Sequence, residues 1–220
     1  MLITLLLVAH IAVLGYWLGS ELVINSTYRY VCYGRHIPFA ERSRLMEHVM
    51  HVDQHVRYAL VLQAGLGFGL ATVYGLLPGG TTLALVIAAL TVAWLGFVEA
   101  VHRLRHHRVG KTLGAVDRGS RYLFMALLLA LACGVIGGNW ELPLWLRLKI
   151  GLFAAVMASG VGIRLALIQH FRTWAQMTLD GPCDASNTSI ERTYVRATAV
   201  LVLLWLFIAA IVAVSVIKPA

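Results

Sequence analysis

The chain is poor in charge. Asp, Glu, Lys and Arg make up 13% of its 220 residues, while hydrophobic residues make up 60%. A soluble domain of this length is near a quarter charged and half apolar. The composition therefore excludes an ordinary water-soluble globule and indicates a polytopic membrane protein, with the lipid bilayer as its first partner. Cysteine is scarce too. Cys32, Cys133 and Cys183 are widely spaced, odd in number and form no CxxC pair. That argues against a disulfide framework or a thiolate metal site and leaves free thiols. Acidic residues number 10 against 18 Lys and Arg, a net charge of +8. The basic excess falls between apolar runs, where it sets membrane orientation. It forms no stripe on a soluble face, so nucleic acid is not an expected partner. The opening MLITLLLVAHIAVLGYWLG has no basic leader region and no distinct small-residue cleavage site, and it reads as a retained first helix.

What is present is length in the apolar runs. Six of them approach the roughly 20 residues a membrane helix needs: 2–24, 57–77, 82–101, 121–139, 145–168 and 194–216. Pro78-Gly79-Gly80 and Gly137-Gly138-Asn139 with Pro143 make short turns. The connections 25–56, 102–120 and 169–193 are longer and carry the Lys and Arg. The positive-inside rule then places these inside and both termini outside. The expected fold is an all-α bundle of six transmembrane helices forming one domain over 1–220, in a bacterial cell inner membrane. A weak internal repeat runs through 10–77 and 87–139. Trp17-Leu18-Gly19 recurs as Trp94-Leu95-Gly96, and Val52-Asp53 with Arg57-Tyr58 recurs as Val116-Asp117 with Arg121-Tyr122. A duplicated helix pair would explain it, as would two ordinary i,i+4 ion pairs at helix entries.

The stretch EHVMHVDQHVRY, residues 47–58, has no Gly or Pro. If it is helical, His48, His51 and His55 fall within an arc of about 60°. Glu99, His102 and His106 make a second stripe at the end of the third run. Two helices offering imidazoles one turn apart resemble the way membrane metal sites collect ligands. Glu99-x-x-His102 has the spacing of carboxylate-bridged di-iron bundles. The HxxxHH of His102, His106 and His107 is similar to one box of the membrane di-iron hydroxylases and desaturases, though that box is not repeated here. These residues make the expected metal set for non-haem iron or copper. The competing reading is a rim of solvated histidines beside many Arg.

A second group lies deeper. His10 is the one histidine inside an apolar run, with Trp17 and Glu21 on the same helix face. An imidazole at that depth is a functional candidate. Helix 5 opens Leu144-Trp145-Leu146-Arg147-Leu148-Lys149. Two cations so placed either meet carboxylates, from haem propionates or an anionic substrate, or snorkel to headgroups.

These residues carry a family resemblance. His10-Ile11 followed by Trp17 and Gly19 resembles the first helix of the small haem-containing membrane protoporphyrinogen oxidases and of the copper-resistance D-like membrane proteins. Met50 through Arg57 is similar to the former's second-helix entry. Trp145-Leu146-x-x-Lys149 resembles its Trp-Leu-x-x-Lys segment, and Val216-Ile217-Lys218-Pro219 its closing Val-x-Lys-Pro. The resemblance implies a haem b on His10, with Trp17, Trp145 and Arg147 around the cofactor and Arg57 and Lys149 as catalytic positions. The chain departs from that pattern by an extra helix pair and a histidine-rich rim, so the oxidases' substrate does not carry over.

Three functions follow as expectations. The first is a haem-binding redox protein, an oxidase of a hydrophobic or porphyrinogen-like substrate or an electron donor to quinone. The second is a non-haem iron or copper enzyme on the rim histidines. The third is a copper transporter or anchor subunit, for which Met46 and Met50 supply one MxxxM pair. A homo-oligomer or a larger membrane complex is compatible with each.

Overall fold

The computed structural model describes residues 1–105, 107–137 and 140–219. Among them every regular element is helical: α1 (Leu2–Tyr33), α2 (Phe39–Val73), α3 (Gly80–Arg103), α4 (Arg108–Ala132), α5 (Leu144–Asp180) and α6 (Asp184–Ile217). Five of them, α1, α2, α3, α5 and α6, are long and apolar enough to cross a membrane.

The helices outrun the apolar segments. Each long connection expected from composition is largely helix, and what remains between helices among the described residues is short: 34–38, 104–105 with 107, and 181–183. Lys, Arg, Glu, Gln and Met are good helix formers, so loss of apolarity marks the edge of a bilayer and not the end of a helix. The breaks fall at residues that stop a helix. Pro38 and Pro143 precede α2 and α5 and offer their carbonyls to the first helical N–H groups. Gly181, at φ 84°, ends α5, and Pro182 prevents its continuation.

The fourth run is the exception. It reads as apolar to residue 139, yet α4 ends at Ala132 because Gly134 turns left-handed at φ 74°. The same helix starts at Arg108 and carries Lys111, Asp117, Arg118 and Arg121 along its first half.

The chain packs as two compact units. Unit 1 comprises Met1–Ile24, Met50–Leu123 and Gly137–Leu142, and unit 2 comprises Asn25–Val49, Phe124–Ile136 and Pro143–Ala220. In unit 1, Trp17, Ala59, Leu70 and Val98 are buried. In unit 2, the core joins Val31, Cys32, Ala154, Val156, Ile190 and Leu204 to buried polar residues, Arg42, His170, Thr173 and Asn187.

Candidate functional site

Unit 1 holds a ladder of polar contacts among α1, α2 and α3. His10 is half-buried, and the amide nitrogen of Gln63 lies 3.1 Å from its Nε2. One turn along α2, Gly67 lies beside the ring. A Cβ at that position would stand 3.4 Å from His10 Cε1. Tyr16 and His55 share a hydrogen bond, their rings edge to face. Trp17 is buried and donates its indole N–H to Glu21 at 3.3 Å. Gln54 donates to the Val98 carbonyl at 3.3 Å. Tyr58 donates to one oxygen of Glu99, and Arg103 donates to the other.

Of the expected metal set, His51, His55, Glu99 and His102 belong to unit 1 with this ladder, and His48 belongs to unit 2. His48, His51 and His55 do lie on one continuous helix, and all three are exposed. His51 faces His102, ring centroids 6.0 Å apart. His55 is turned to Tyr16. Glu99 spends both oxygens on Tyr58 and Arg103. His106 lies outside the described residues. Among the described residues no group of three His, Cys, Asp or Glu side chains is placed to hold a metal ion. What the geometry brings together is one imidazole pair.

Arg57 is ion-paired to Asp53 at 3.0 Å. Arg121 and Asp117 repeat that arrangement at 2.8 Å. Both are the i,i+4 helix pairs that their spacing allows.

In unit 2, Trp145 lies under the ammonium of Lys218, 5.8 Å from the ring centroid. Arg147 folds back over Gly134, where a Cβ would meet its Nη1 at 3.2 Å. Lys149 is half-buried, and among the described residues it makes no ion pair.

Unit 2 also contains a polar core. Arg42 is 1% exposed. Its Nε donates to the Val31 carbonyl at 3.0 Å, its Nη1 donates to Asn187 at 2.9 Å, and its guanidinium lies 5.5 Å from the Trp174 ring centroid. His170 is fully buried, stacked on Trp174 at 5.3 Å and hydrogen-bonded to Tyr28 at 2.9 Å.

Several of these residues escape a reading of the sequence. Gln63 had one signal, being the lone amide in its apolar run. Arg42 counts as a loop cation until α2 is seen to begin at Phe39. Tyr28, Trp174 and Asn187 join across long separations and leave no local pattern.

The ladder of unit 1 can orient an imidazole in an apolar setting and move protons through Tyr–His and Tyr–Glu pairs. Comparison of the chain with protein-family models, with curated proteins and with solved structures gave no match.

Proposed function

We propose that this chain is a multi-pass membrane redox protein that carries haem b in unit 1, with His10 as an axial ligand. The observation that carries the reading is the setting of His10. Its imidazole sits on an apolar helix, braced by Gln63 and beside a glycine on the neighbouring helix. A metal-ligating histidine is generally anchored through its second ring nitrogen, and that anchor sets its orientation and basicity. Gln63 would do this with its amide turned so that the oxygen accepts the Nε2–H, which would leave Nδ1 to hold the iron. Gly67 borders the ring edge without a side chain. These two contacts support a single-imidazole haem site.

Bound haem supplies one-electron chemistry, at a potential set by its ligand and by burial. The chain's own residues do the rest. His10 holds and orients. Gln63 keeps the imidazole in one tautomer. Tyr16 with His55, and Tyr58 with Glu99, hold protons that can move as charge changes nearby.

We infer further that α4 is the sixth span and that the protein lies in a bacterial inner membrane with both termini outside. Quinone is the electron partner this setting favours. Alkaline phosphatase fused after residue 219 should be active, and a fusion at residue 107 inactive; the reverse pattern refutes the orientation.

The absorption spectrum of purified protein tests the haem assignment. Cells supplied with haem precursor should yield protein with a Soret band, lost in His10→Ala and kept in His48→Ala. A colourless wild-type preparation would overturn it.

A further inference from the structure

The hairpin of α5 and α6 carries a feature unrelated to the haem reading. A cleft of about 580 Å³ opens beside the first turns of α6. Gln169 of α5 and Thr188, Ser189, Arg192, Thr193 and Arg196 of α6 line it. We propose that this cleft binds a phosphate-bearing anion, as found on an acidic phospholipid headgroup or free in water.

Charge is the first argument. Arg192 and Arg196 stand one turn apart and are exposed. Among the described residues neither forms an ion pair. The acids nearby are already engaged. Arg35 grips Glu191 through two hydrogen bonds, 2.6 and 2.9 Å, and reaches Asp184, which also lines the cleft, at 3.5 Å. One cation outside the cleft thus offsets the carboxylates that would repel an anion. The two guanidiniums inside it remain uncompensated. Planar guanidinium forks are the side chains best matched to phosphate oxygens.

Position is the second argument. From Ala197 to Ile217, α6 carries no charged residue. Those 21 residues span about 31 Å at the helical rise, the thickness of a hydrocarbon core. Lys218 closes the far end. Arg196 therefore marks the level at which headgroup phosphates lie, and Arg192 lies one turn further toward water. Basic pockets between membrane helices at this level hold acidic lipid headgroups.

The test uses the full chain in detergent, equilibrated with equal amounts of phosphatidylglycerol and phosphatidylcholine and read by native mass spectrometry. Wild type should retain the acidic lipid roughly tenfold more than the zwitterionic one, and Arg192→Gln/Arg196→Gln should lose that preference. A parallel arm adds inorganic phosphate alone and follows thermal stability. Stabilisation of the wild type but not the variant, without lipid preference, assigns the source to water. If lipid and phosphate both fail to distinguish wild type from variant, the proposal is overturned. Should the double variant fail to fold, each single glutamine variant reads the same preference at partial loss. Haem content is a separate measurement, so failure here leaves the haem reading intact.

Discussion

Tyr28 and His170 are 142 residues apart and meet through a buried hydrogen bond of 2.9 Å. The histidine is fully enclosed, with Trp174 stacked on one side and Tyr28 edge-on at 5.0 Å. A buried polar atom that loses its partner costs about 1–3 kcal/mol. Tyr28→Phe should therefore lower the stability of unit 2 by about that amount while leaving its packing in place. Thermal unfolding in detergent measures it. No loss in Tyr28→Phe would mean that the bond contributes nothing to the fold.

Arg42 predicts an ordering of substitutions. It is a buried cation met by a carbonyl, an amide and an aromatic face, with no ion pair to a carboxylate among the described residues. Arg42→Ala would remove its hydrogen bonds and leave a void, at about 3–5 kcal/mol. Arg42→Met keeps most of the volume and removes a charge that is costly to bury. It should cost clearly less than alanine, by about 1–2 kcal/mol. Equal losses would show that charge, and not volume, dominates at this position.

How much of this was readable beforehand differs by level. The helical class and five of the six expected spans were legible because a bilayer imposes a coarse, local requirement, a run of roughly 20 apolar residues. The ion pairs Asp53–Arg57 and Asp117–Arg121 were legible for the same reason, since i and i+4 meet on any helix. The length of α5 was not, because residues 169–180 are polar enough to resemble a loop yet contain nothing that breaks a helix. Nor was the fate of Glu99, which spacing alone pairs with His102. Tyr58, 41 residues away, takes one of its oxygens. Contacts between distant helices depend on register, and one sequence carries no direct record of register.

Gln63 provides a sharper test of unit 1 than His10 does. Gln63→Leu is close in volume and removes the amide that braces the imidazole. Losing such a supporting contact typically costs 10–100-fold in metal affinity. Haem titration of the variant should show weakened but measurable binding. Unchanged affinity would mean that His10 is not oriented from α2.

The cysteines predict a reactivity order. Cys183 is exposed between α5 and α6, and Cys32 is completely buried. Hydrogen bonding from Ser186 and the neighbouring backbone lowers the Cys183 thiol pKa from its usual value. A lowered value means thiolate at lower pH, so maleimide labelling of Cys183 should rise below the ordinary thiol range of about 8.5. Ser186→Ala should move that rise upward. Cys32 should label only after unfolding. Equal rates at Cys32 and Cys183 in the native protein would contradict the fold of this region.

The length of α5 has a mechanical consequence. Its 37 residues extend about 55 Å, while lipid tails span about 30 Å. Nearly half of that rod therefore stands in water. There Thr173 meets Ser189 of its neighbour α6 at 3.3 Å, beside the buried Met177 and Ile190. Chaotropes dissolved in the aqueous phase reach these contacts and cannot reach the stretch sheltered by lipid. Unmaking of the hairpin should begin at its wet tip and run toward the bilayer, with the embedded segments the last to separate.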